Sequence, residues 1–133
     1  MMFKLNEEQA KRIAERLNYR WPDDTVVAVV QEKYSGKVLM VASMNKEAVL
    51  RTLTTGIAHY WSKSRKELWV KGATSGHIQV VEGFYIDCDR DTVLLVVRQA
   101  SLIACHEGYH SCFHYRVSED GKVEVEKEGP KFE

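Results

Sequence analysis

The chain opens on a helical pattern. Ala10, Ile13, Ala14 and Leu17 fall at i, i+3, i+4 and i+7, the spacing of one buried helix face. Asn6 and Gln9 stand where a capping box would place them, and Trp21-Pro22-Asp23-Asp24 ends the run, so a helix is predicted over 6–18. The period then changes. Residues 25–31 and 37–43 are β-branched and apolar, with Ser35-Gly36 between them, which predicts a hairpin. Asn45 precedes a second apolar stripe (Val49, Leu50, Leu53) that Gly56 closes, giving a second short helix with a cap at each end. Beyond it the pattern is strand-like over 57–62, 68–71, 78–88, 92–99, 111–117 and 122–126. Two short helices beside many strands predict an α+β domain, mainly antiparallel sheet.

Length and charge narrow the function classes. A chain of 133 residues with two prolines, eight scattered glycines and no repeat reads as a single domain over 1–133. Its 19 basic and 19 acidic side chains cancel, which argues against a nucleic-acid coat or a membrane-surface binder. The longest apolar runs, 26–30 and 93–97, are far short of the ~20 residues that span a bilayer. The start turns polar directly after Phe3, unlike a signal peptide, so a cytoplasmic protein is expected.

Candidate chemistry lies in three segments. Asp87-Cys88-Asp89-Arg90-Asp91 separates two apolar strands. In a straight strand its carboxylates would be roughly 6.5–7 Å apart on one face, with Cys88 on the other; a turn would draw them together. The segment is either a site for a hard cation such as Mg²⁺ or a solvated turn. Cys105-His106-Glu107-Gly108-Tyr109-His110-Ser111-Cys112 holds two thiols and two imidazoles, ligand types that suit zinc, although buried cysteine with exposed histidine has the same composition. With Cys88 there are three thiols, one short of a closed Cys₄ site, as in a catalytic zinc that keeps one position for water. A histidine could close the site instead. Sixteen residues separate Cys88 from the nearest other cysteine, Cys105, so the loop folds back or the thiols meet across a subunit interface. The third segment, 60–77, offers Lys63, Arg65, Lys66, Lys71, several hydroxyls, Gly72, Gly76 and two tryptophans. It could bind phosphates or be an ordinary hairpin.

Together the segments resemble the phosphoribosyl-AMP cyclohydrolase family of histidine biosynthesis. The resemblance runs through Met44-Asn45-Lys46-Glu47-Ala48, Trp61-Ser62-Lys63-Ser64-Arg65, 68–76, 87–91, Cys105-His106 and Ser111-Cys112-Phe113, covering roughly 25–117. It implies a cytoplasmic homodimer that opens the adenine ring of 1-(5-phosphoribosyl)-AMP at the C6–N1 bond by hydrolysis, using zinc and magnesium. The implied zinc ligands are Cys88 of one subunit with Cys105 and Cys112 of the other; Asp87, Asp89 and Asp91 would hold magnesium. His106 becomes the candidate proton carrier and His110 a second one, while Arg65, Lys71, Thr74 and Ser75 become candidate phosphate contacts. Three positions depart from the family pattern: Lys63 where arginine is frequent, Ser101-Leu102-Ile103 in place of a Gly-Pro approach, and Glu107 in place of a hydroxyl residue. A metal-clamped dimeric binding module, with His106 or His110 as fourth zinc ligand, is the alternative from another class. A nucleobase deaminase is disfavoured because its His-x-Glu with Pro-Cys-x-x-Cys is absent.

Overall fold

Helix α1 (Glu7–Arg16) forms where the pattern predicts it, and both arms of the capping box are made: Gln9 N–H donates to Asn6 Oδ1 at 2.8 Å and Asn6 N–H to Gln9 Oε1 at 3.1 Å. Ala10, Ala14 and Leu17 are buried. The computed structural model describes residues 4–72, 76, 78–99 and 110–126. Thr74, Ser75, His77, Cys105 and His106 lie outside the described residues.

Strands β1 (Thr25–Glu32) and β2 (Val38–Asn45) pair as the predicted antiparallel hairpin. Asn45 caps α2 (Lys46–Thr55) through Ala48 N–H at 2.9 Å, and Gly56 ends it in the left-handed region at φ 77°. A two-stranded ribbon follows, β3 (His59–Ser62) with β4 (Glu67–Val70), then the hairpin β5 (Gln79–Ile86) and β6 (Thr92–Gln99), and a last ribbon of β7 (Tyr115–Val117) with β8 (Val123–Val125). Strands β3 and β7 begin later than the pattern suggested. The main sheet has the order β2-β1-β6-β5. Its central pair, β1 with β6, is parallel, which a hairpin cannot make; the long crossover through α2 and the β3–β4 ribbon allows it. The other pairs are antiparallel.

Alternation assigns the two sheet faces. Val26, Ala28, Val30, Val93, Leu95 and Val97 are at most 1% exposed and form the core with α1 and α2. The opposite face is apolar as well. One cross-strand row runs Val41, Val29, Leu94, Tyr85 over all four strands. At the row's ends Val41 is 49% exposed and Tyr85 60% exposed. No helix among the described residues is long and apolar enough to cross a membrane.

The β3–β4 ribbon is held to the main sheet by a buried polar contact. Tyr60 Oη donates to Gln79 Oε1 at 2.5 Å, both side chains being inaccessible, and Gln79 Nε2 lies 3.3 Å from Met40 Sδ. Burial drives the Tyr60 phenol well above its ordinary pKa, so it stays a donor. Tyr60→Phe would strand the Gln79 carbonyl, and a lost buried partner costs about 1–3 kcal/mol. Urea unfolding is expected to show that loss as a lower midpoint with an unchanged slope.

Candidate metal centre and substrate site

The acidic segment is a tight turn closing the β5–β6 hairpin. Asp87 N–H donates to Thr92 O at 3.0 Å and Arg90 N–H to Asp87 O at 3.1 Å, with Arg90 at φ 62°. Asp87 Oδ1 accepts from the backbone N–H groups of Asp91 and Thr92, each at 3.2 Å, the local side-chain bonding that makes aspartate favour turns. The turn brings ligand oxygens of Asp87, Asp89 and Asp91 within 4.8 Å of one another. Three oxygens around one small hard cation at about 2.1 Å would lie roughly 3–4.2 Å apart, so these carboxylates could hold a metal ion with a small closure of the turn. Asp91 is buried and Asp89 exposed. Cys88 is an exposed thiol at the same turn, 3.8 Å from Asp89 Oδ1.

The segment Trp21-Pro22-Asp23-Asp24, read from sequence only as a helix stop, and its neighbours form part of this site. Asn18 N–H donates to Arg90 O at 2.6 Å, Trp21 Nε1 to Asp91 O at 3.1 Å, and Arg20 Nη1 lies 3.5 Å from Asp91 Oδ2. Arg20 also covers the Trp21 ring, 4.9 Å from its centroid. These partners are about 70 positions apart in the chain, so no local pattern announces them.

The basic segment lies on the β3–β4 ribbon. Its turn carries Lys63, Ser64, Arg65 and Lys66. Ser62 Oγ accepts from Arg65 N–H at 3.2 Å, and the Arg65 guanidinium is 3.8 Å from Glu67 and largely exposed. Asp23 receives both Lys66 Nζ, 2.6 Å from each carboxylate oxygen, and Trp61 Nε1 at 3.0 Å. The Lys66 bond, then the Trp61 bond, hold the Asp23 carboxyl below its ordinary pKa. Lys71 follows β4 at the other end of the ribbon, so Arg65 and Lys71 do not converge: the four-residue strand between them spans about 13 Å.

Cys112 lies elsewhere. Its backbone N–H donates to Leu39 O at 2.7 Å, and Ser111 Oγ donates to Val38 O at 2.7 Å, which docks this segment on the start of β2. His110 stands beside it, Nε2 3.3 Å from Glu32 Oε1 at the end of β1. His114 is buried and its Nδ1 meets Ser111 O at 3.0 Å, a structural role; His59 Nδ1 meets Ile57 O at 2.7 Å. Sheet register places Leu39 near Val30 and Gln31, whereas the acidic turn lies beyond Val27 and Thr92 on the far strand. With strands about 4.8 Å apart and about 3.3 Å of rise per residue, Cys88 and Cys112 of one chain are separated by on the order of 20 Å. Two thiolates on one zinc at about 2.3 Å each lie roughly 4 Å apart.

Comparison with known proteins agrees with this inventory. The sequence profile described as Phosphoribosyl-AMP cyclohydrolase matches residues 40–114. A phosphoribosyl-AMP cyclohydrolase of Ignicoccus hospitalis is 78% identical over 132 residues, covering 99% of this chain and 100% of that one. Enzymes of the same name from Sulfurisphaera tokodaii and Pyrobaculum calidifontis are 49% and 58% identical, over 87% and 80% of this chain and 98% and 82% of theirs. The chain therefore belongs to the phosphoribosyl-AMP cyclohydrolase family, a family of hydrolases.

Proposed function

We propose that this protein hydrolyses the adenine ring of 1-(5-phosphoribosyl)-AMP in histidine biosynthesis, in the cytoplasm, as a homodimer whose metal sites span the subunit interface. The observation that carries the reading is the convergence of the Asp87, Asp89 and Asp91 ligand oxygens beside the Cys88 thiol, in a chain of this family.

Magnesium would be held by the three carboxylates, where it offsets the charge of the substrate phosphates. Zinc would be held by Cys88 of one chain with Cys105 and Cys112 of the other; when bound it supplies a water that deprotonates near neutral pH. The separation of Cys88 from Cys112 within one chain supports the sharing. So does the apolar second face of the sheet, with its row of Val41, Val29, Leu94 and Tyr85, because exposed contiguous apolar surface marks a contact site.

The residues divide the work. N1-alkylated adenine is electrophilic at C6. Water adds there, the C6–N1 bond breaks, the oxygen stays on C6 as a carboxamide and a proton goes to N1. His106 would carry that proton, being next to a thiolate ligand in sequence and of a type that titrates near neutrality. Arg65 and Lys71, with Thr74 and Ser75, would contact phosphate. The distance between Arg65 and Lys71 suits a substrate with a phosphate on each of its two riboses.

Ultraviolet absorbance during incubation with phosphoribosyl-AMP tests the proposal. The protein loaded with both metals is expected to open the ring, to stop when a chelator strips the metals, and to recover when zinc and magnesium return. No ring opening by the loaded protein would overturn the reading, and turnover by fully stripped protein would overturn the metal assignment.

A further inference from the structure

The stretch from Asn18 to Asp24 touches both halves of the proposed site. At one end Asn18, Arg20 and Trp21 grip the acidic turn through its Arg90 and Asp91. At the other, Asp23 grips the β3–β4 ribbon through Lys66 and Trp61. Arg20 and Asp23 are three residues apart, at most about 11 Å of extended chain, so the stretch sets the spacing between the carboxylates and the basic turn. Backbone geometry marks the same places. Among the described residues, the non-glycine positions with positive φ are Asp23 (67°), Asp24 (53°), Lys66 (55°) and Arg90 (62°). All four lie on this stretch or on the two turns it grips. Aspartate tolerates the left-handed region better than lysine or arginine does; residues held there away from glycine cluster where surrounding contacts enforce a functional geometry.

We propose that Asp23 is a positioning residue for substrate: its paired bonds to Lys66 and Trp61 fix the β3–β4 turn, and with it Arg65, at a set distance from the metal-binding turn. This rests on the reading that Arg65 contacts a substrate phosphate. The ion pair is half-open to solvent, with Asp23 21% and Lys66 63% exposed at the side chain, and exposed pairs contribute little to stability. Its consequence is therefore expected in substrate binding rather than in folding.

Steady-state kinetics with phosphoribosyl-AMP on the metal-loaded, full-length protein test the proposal. Asp23→Asn keeps an acceptor for Trp61 and tolerates positive φ, but loses the charge pair; Lys66→Met removes it from the other side. Each is expected to raise KM about fivefold to tenfold with kcat within about twofold of the parent, and the double variant to be no worse than either single, as for two halves of one contact. An unchanged KM in Asp23→Asn, or effects that multiply in the double variant, would overturn the proposal. A lower melting temperature with an unchanged KM would do the same. Arg65→Ala separates this from the reading beneath it. If Arg65→Ala raises KM and Asp23→Asn does not, only the brace fails; if Arg65→Ala leaves KM unchanged, the phosphate contact itself fails.

Discussion

Cys112→Ser is expected to lose bound zinc and to lower turnover of phosphoribosyl-AMP by about 10³-fold or more, since a catalytic metal contributes several kcal/mol and each 1.36 kcal/mol is tenfold. The fold should survive. The segment is anchored by the Cys112 backbone N–H on Leu39 O and the Ser111 hydroxyl on Val38 O, and the substitution leaves both in place. Serine keeps the size of the side chain but supplies an alcohol that does not ionise at neutral pH, where zinc takes a thiolate. Cys88→Ser should behave alike for a different structural reason. Cys88 is exposed at a turn whose geometry is set by Asp87 and the backbone, so its thiol is spare for ligation. Metal content by atomic absorption, read beside circular dichroism, checks both. Full zinc with parental turnover in either variant would remove that cysteine from the site.

Much of the scaffold was legible in the sequence because local rules fixed it. The capping box of Asn6 and Gln9, the Ala10-Ile13-Ala14-Leu17 stripe, and the Asn45 and Gly56 caps depend on neighbours within one or two turns. The acidic segment was legible as a choice between a metal site and a solvated turn. The turn itself decides how close the carboxylates come: Asp87 bonds the backbone of Asp91 and Thr92 and folds the oxygens toward each other. The parallel pairing of β1 with β6 was not legible, although the unbroken apolar runs in both strands carry its trace, because strands covered on both faces lose their polar alternation. In the sequence, Trp21 and Asp23 mark only the end of a helix. Their partners, Trp61, Lys66 and Asp91, are 38 to 70 positions away, and such contacts leave no periodic mark. The odd cysteine count was legible only as a puzzle; the structure adds that Cys88, at the β5–β6 turn, and Cys112, docked on Leu39, lie far apart across the main sheet.

That separation leads to the second large effect. If two copies associate about a two-fold axis that sets the Cys88 end of each chain against the Cys112 end of the other, as proposed above, every dimer has two such meetings. Cys88→Ala and Cys112→Ala homodimers then have no complete site. A heterodimer of the two variants gathers both lesions into one site and leaves the other intact. Random reassortment makes about half of the dimers mixed, each with one good site of two, so activity should return to about a quarter of the parent's from two inactive preparations. The association itself has a structural motive in the apolar row of Val41, Val29, Leu94 and Tyr85 across the sheet. The decisive measurement is turnover of phosphoribosyl-AMP after co-refolding equal amounts of the two variants, with heterodimers verified by native mass spectrometry. Recovery near one quarter is the predicted result; verified heterodimers with no activity would contradict a metal centre shared between chains.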